Sequence, residues 1–474
     1  MTVFANRFSR RRLLEGAAKL TALAVASGTI GGCAGLGGQA GPTAVAKLDP
    51  NVKASISMSV WGMPWENDLY TKYYIPDFQK KYPNIKVEFN HFENYRDKII
   101  SLHAGGQMVD VPRLAMAWVW EFIDKKMLVP LEDYIKTEGL DKADFHPATW
   151  PPISKDGRAY AIPQDLNFTG LYFNKTPFEK EGLSLPNHEY TLDRLTEDAK
   201  RMTKKDASGR VQQYGFIRIW SANTGFWTLV YALGGKFWNE DRTKCLYDSP
   251  EVVEALEWQR KLCVDLQAAP TNAEMGAMGY AGMTDVLFQE SKAVMLQEGT
   301  HRSPSVQKNA PQGFKFAVTS HPAGKQKKIA SAGQSFGVSS QSKAHDAAYL
   351  LASFMNNTEN LVKYWIFTWV APPARLSSLR SPDFKKIVGI PGTVPGLTGG
   401  DEEFNDKCGW IPYSIEREGF IQTEWVSPWF GTWQREGQAA IDAVLVPGST
   451  VKSADVLKTA ADNVNKYIQE QLKK

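Results

Sequence analysis

Residues 160–186 read YAIPQDLNFTGLYFNKTPFEKEGLSLP. Tyr160 to Ile162 forms a short apolar strand that Pro163 breaks, and Gln164-Asp165-Leu166-Asn167 follows as a polar knuckle. A second strand runs from Thr169 to Phe173, then Asn174-Lys175, then a helix opened by Pro177, where a missing N–H is tolerated. Proline holds the residue before it in extended backbone, and the polar knuckle supplies loop chemistry. The stretch therefore reads as a chain crossing between two bodies, not as a turn inside one sheet.

Outward from this crossing, 474 residues are enough for two substantial domains. The formal charge of +4 sits at the N-terminus, where Arg7, Arg10, Arg11, Arg12 and Lys19 face only Glu15. Beyond residue 32 the basic and acidic residues balance, which removes the electrostatic case for nucleic-acid binding. Ser9-Arg10-Arg11-Arg12-Leu13-Leu14 carries twin arginines, and the apolar run Leu20 to Ile30 is too short to span a bilayer of about 30 Å. The run ends Ile30-Gly31-Gly32-Cys33. Residues 1–32 are thus expected to be a signal peptide, and 33–53, rich in Gly, Ala and Pro, a flexible tether. Twin arginines imply export in the folded state, with an ordinary secretory route left open. Cys245, Cys263 and Cys408 allow one disulfide at most and have no zinc-site spacing.

Ile56 to Trp61 alternates like a strand, Asn67 to Tyr82 is helical, and Ile85, Val87 and Phe89 alternate again, a βαβ unit that argues for a parallel sheet. Phe314 to Val318 is expected to return the chain to the first body, and a helix from Ser453 places Val456, Ala460, Val464, Ile468 and Leu472 on one face.

Several of these segments carry a family resemblance. Tyr82-Pro83-Asn84-Ile85-Lys86-Val87, then Ala104-Gly105-Gly106 through Asp110-Val111, then Tyr172-Phe173-Asn174-Lys175 with Glu179-Lys180-Glu181-Gly182-Leu183 and Pro186, resemble the extracellular solute-binding proteins of ABC importers, in particular the maltose-binding-like group. The resemblance spans about Ser55 to Ile468. It implies an α/β, two-lobed periplasmic-binding-protein fold of type II, each lobe a mixed or parallel sheet flanked by helices and joined by a hinge. The N-terminal lobe is expected over 54–163 and 316–364 and the C-terminal lobe over 164–315 and 365–474, with crossings near Pro163, Phe316 and Tyr364. Ile30-Gly31-Gly32-Cys33 likewise resembles a lipobox, with Cys33 lipidated and anchoring the chain outside the cytoplasm.

The chain carries 15 tryptophans, many in polar or Gly-flanked surroundings. A pyranose ring has apolar C–H faces and a belt of hydroxyls, which flat aromatic rings and edge amides or carboxylates match. Trp61, Trp65, Trp118, Trp220, Trp429 and Trp433 stand on loops that the resemblance places at the cleft. Asn167 falls where the family often has a carboxylate, Asp165 is beside it, and Glu121 and Glu298 are further edge candidates. His301, in Glu298-Gly299-Thr300-His301, stands where the family often has a stacking ring.

No nucleophile elbow, P-loop, dinucleotide fingerprint or metal-binding His pair occurs, so no catalytic residue, cofactor or metal is expected. The chain is expected to be a monomer that captures a carbohydrate, an oligosaccharide by preference, and hands it to an ABC permease. Alternatives are a non-sugar polyol or glycerol phosphodiester as ligand, a sensor without a transport role, and an exported glycoside hydrolase.

Overall fold

The computed structural model describes residues 48–218, 224–417 and 419–473; the targeting segment, Cys33 and Trp220 lie outside the described residues. The strands that frame the site are β1 (Ala54–Val60), β2 (Ile85–His91), β3 (Val111–Ala115), β4 (Ala161–Pro163), β5 (Asn167–Asn174), β6 (Val211–Ile217), β7 (Ala293–Gly299), β8 (Phe316–Ser320), β9 (Ile329–Ala332) and β10 (Gln334–Gly337).

The βαβ reading holds. β1 and β2 run parallel from Ala54 opposite Ile85 to Val60 opposite His91, with Ile75–Lys81 helical between them. The first sheet has the order β2-β1-β3-β10-β4. Its core gathers Ile56, Val60, Phe78, Leu131, Ile162 and Phe336. In the second sheet β5 is central, antiparallel to β7 on one side and to β8 and β9 on the other, while β6 runs parallel to β7. A second core packs there, built on Leu171, Phe173, Trp227, Trp425 and Trp433. The closing helix Ser453–Leu472 buries Ala460, Val464 and Ile468 as expected, but Leu472 at its end is 54% exposed.

Three segments pass between the sheets and lie side by side. The first, Gln164-Asp165-Leu166, joins β4 to β5. The second is Gly333, a single residue between β9 and β10. Ala332 lies opposite Asn167 and Ser335 opposite Pro163, and the Gln164 amide donates to the Gln334 carbonyl at 2.8 Å. The third runs past Pro372: the Leu166 amide donates to the Pro372 carbonyl at 2.9 Å, and Ala374 donates to Gln164 at 3.0 Å. Gly333 has no substitute here, because a Cβ would press on the Asp165 carbonyl and the Met116 thioether.

One expectation is corrected. Phe316 does not begin the return to the first sheet: β8 pairs with β5 from Phe316 opposite Asn174 to Ser320 opposite Gly170, so it belongs to the second sheet. The chain regains the first sheet at Gln334.

Cys245, Cys263 and Cys408 are free, buried thiols. Burial pushes the Cys245 thiol up to about 12. Among the described residues no helix is long and apolar enough to cross a membrane, and no cluster of three His, Cys, Asp or Glu is placed to hold a metal ion.

Candidate binding cleft

β1 ends at Val60, and the chain turns through Trp61-Gly62-Met63 into the helical turn Pro64–Glu66. This loop faces the start of β5 and the end of β7. The β5–β7 register sets Gly299 opposite Thr169, so its continuation brings His301 beside Asn167. The Asn167 amide nitrogen lies 3.3 Å from His301 Nδ1 and donates to it. Between these walls is a cleft of about 510 Å³, closed on its far side by the helix Ser303–Asn309 and by Val370, Thr393 and Val394.

Trp61, Trp65, Asn167 and His301 all line this cleft. Trp118 lies in the adjoining groove, its ring 5.1 Å from that of Trp61. The His301 side chain keeps 43% of its surface open, yet the cleft walls strip enough water from it to lower its pKa to about 4, with Arg302 adding to the shift. Neutral imidazole and primary amide thus form a wall that offers hydrogen bonds without charge.

Other expected site residues sit elsewhere, each for a visible reason. Asp165 is sealed in the floor: Oδ1 accepts from the Gln334 amide at 3.0 Å, Oδ2 accepts from the Tyr364 hydroxyl at 3.1 Å, and Arg113 is 4.0 Å away. Burial raises its pKa to about 6 against the pull of Arg113. Glu298 is buried behind the wall, accepting from Thr284 Oγ1 at 3.0 Å and from the Gly299 amide at 2.9 Å. Glu121 is bound by Arg96 at 2.6 Å. Trp433 has no open surface and stacks on Tyr247 with ring centres 5.6 Å apart and planes 3° from parallel. Trp429 donates its indole N–H to the Arg242 carbonyl at 2.7 Å and lines neither the cleft nor the groove.

Sequence reasoning missed Glu66, Arg113, Arg302, Lys308 and Gln334, which also line the cleft. Arg113 could have been found, since a lone arginine inside the apolar strand Val111–Ala115 needs a buried partner. Its partners are Glu66 at 3.2 Å and Asp165. Removing one member of such a buried pair typically costs about 3–5 kcal/mol. Arg302 faces Asp285 at 3.9 Å. Of the basic groups lining the cleft, only Lys308 lacks an ion pair among the described residues.

A larger cavity of about 650 Å³ is bounded by His146, Pro147 and Ala148 on one side and Leu376, Phe384, Ile415 and Ile421 on the other. Among the described residues, none of the expected site residues lines it.

A two-lobed α/β body with crossings at its waist and a polar–aromatic cleft beside them is the architecture of type II periplasmic binding proteins, and solved structures match it. An ABC substrate-binding protein from Listeria monocytogenes in complex with cycloalternan superposes with a TM-score of 0.72 at 23% identity, covering 88% of this chain and 100% of that one. The sugar-binding protein MalE of Xanthomonas citri gives 0.71 at 15% identity, covering 88% and 98%. Residues 65–361 match the family model described as bacterial extracellular solute-binding protein, and the chain belongs to that family. A binding protein of Brucella abortus is 25% identical over 254 residues, 52% of this chain and 58% of that relative. The maltotriose-binding protein of Pyrococcus abyssi is 24% identical over 177 residues, 37% of this chain and 36% of its own length. The chain thus spans little more than half the length of the first of these curated relatives.

The His301 environment sets a test. An NMR titration of the imidazole should give a midpoint near about 4, far below the ordinary value of about 6.5. The imidazole itself would then stay neutral from about pH 5.5 to 8, and a midpoint near 6.5 would contradict the neutral imidazole.

Proposed function

We propose that the protein is a lipid-anchored, extracytoplasmic receptor that captures a neutral carbohydrate by lobe closure and delivers it to an ABC permease. The observation that carries this reading is the cleft itself, where Trp61 and Trp65 stand across from uncharged Asn167 and His301. Flat rings suit the C–H faces of a sugar, and amide and imidazole suit its hydroxyls. The sugar-binding proteins among the structural matches agree with this chemistry. In this reading the first lobe takes 54–163 and regains the chain near Gln334, and the cleft shuts by rotation about the crossings. Closure is limited by how much better the solute binds the shut form than the open one.

Charge bears on the choice between the sugar and a glycerol phosphodiester. Arg113 is answered by Glu66 and Asp165, and Arg302 is paired with Asp285 at 3.9 Å, which leaves Lys308 as the cation of the cleft without an ion pair among the described residues. Glycoside hydrolysis would need two carboxylates facing the ligand about 5–9.5 Å apart. Asp165 and Glu298 are instead buried with their oxygens already engaged.

A thermal-shift panel of mono- and oligosaccharides tests the proposal, because a ligand that binds the folded chain raises its melting temperature. A neutral oligosaccharide should give the largest shift and remain unhydrolysed on prolonged incubation. Trp61→Ala should then weaken binding of that sugar by more than about tenfold, roughly 1.4 kcal/mol. A panel answered only by phosphodiesters, or an unchanged affinity in Trp61→Ala, contradicts the reading. For the anchor, Cys33→Ala should move the protein from the membrane fraction to the soluble one, and retention on the membrane would refute lipidation there.

A further inference from the structure

The loop that carries Trp61 and Trp65 has little holding it from outside: Met63 at its tip is 55% exposed. It is held from below. Arg113, only 1% exposed, donates through Nη1 to the Trp61 carbonyl at 3.0 Å and to Glu66 Oε2 at 3.2 Å. The indole of Trp61 lies over the same guanidinium, 5.1 Å from Cζ to ring centre, and packs on Tyr95 at 4.9 Å. The other carboxylate oxygen of Glu66 accepts from the Met63 amide at 3.0 Å. Gly62 makes that fold-back possible, with φ at +126°, and a Cβ there would land on the Glu66 carboxylate. The opposite edge of the guanidinium faces the crossings: Nε donates to Gln164 Oε1 and Nη2 to the Tyr364 hydroxyl, both at 3.1 Å. Only a planar group with several fixed donors reaches all of these at once, and a lysine ammonium does not.

We propose that Arg113 is a positioning residue, whose buried guanidinium fixes the Trp61–Glu66 loop, and with it the aromatic wall of the cleft, to the chain crossings. Its consequence for binding rests on the sugar-receptor reading above, but its hold on the loop does not.

The test uses the full-length chain carrying Arg113→Lys, with Glu66→Gln as a second variant that keeps the arginine. Hydrogen exchange read by mass spectrometry should show the peptide covering residues 61–69 exchanging at least about tenfold faster in both variants, well beyond any change in β2. A rise in the loop no greater than that in β2 means general destabilisation and overturns the proposal, as does a loop that exchanges as in wild type. With the sugar that the wild-type chain binds, Arg113→Lys should raise Kd about tenfold alone and add nothing in a Trp61→Ala background. Fully additive losses would show that Arg113 acts independently of Trp61, and would also overturn it. Should the wild-type chain bind no sugar, the receptor reading falls, and the exchange measurement still decides the role of Arg113.

Discussion

The positive charge of Arg113 is buried between the cleft and the crossings, and the centre of the molecule is arranged to tolerate it. An unpaired buried guanidinium would cost several kcal/mol, so carboxylates must be brought to it. They come from separate parts of the chain, Glu66 from the loop after β1 and Asp165 from the first crossing. Satisfying one charge therefore ties a loop of the first sheet to the passage between the sheets. The Tyr364 hydroxyl brings the helix Thr358–Thr368 to the same point by donating to Asp165 while accepting from Arg113. The cleft and the crossings share this floor.

The crossings themselves are short and paired. Backbone hydrogen bonds between Gln164 and Gln334, and between Leu166 and Pro372, make a narrow ribbon in place of three independent strings. Such a ribbon concentrates backbone rotation in a few residues, as hinge closure requires. It also places Asn167, the first residue of β5, directly at the cleft wall. Position along the chain, more than chemical type, puts this asparagine in the cleft wall.

Much of this was legible before any coordinates. Pro163 followed by polar residues located the first crossing, and period-two alternation located β1 and β2. The second crossing is not where the sequence suggests, because the pattern of Phe314 to Val318 indicates a strand without showing which sheet it joins. That choice belongs to long-range pairing with β5, which no local pattern carries. The tryptophans divide for a similar reason. Trp61 and Trp65 sit beside Gly62 and Pro64 on a loop and reach the cleft, whereas Trp433 lies on a helix, Phe430–Val444, whose inward face also buries Ile441 and Val444. Helical spacing from Trp433 to those residues was the available sign that it packs inside. In the sequence Asp165 and Glu298 suggest ligand edges, because a carboxylate beside the cleft segments invites contact. Their hydrogen-bond partners come from Gln334, Tyr364 and Thr284, residues remote in the sequence from Asp165 or set on a different element from Glu298.

The cavity bounded by His146 and Ile421 is larger than this cleft. Rings, neutral hydrogen-bonding groups and paired charges meet in the smaller cleft instead. A crystal structure of the protein with its best-binding neutral oligosaccharide tests the choice between them most directly. It should show sugar rings against Trp61 and Trp65, with hydroxyls on Asn167 and His301 and the Arg113 cluster intact beneath. Sugar density in the His146 cavity, with the Trp61 cleft holding only solvent, would contradict the account.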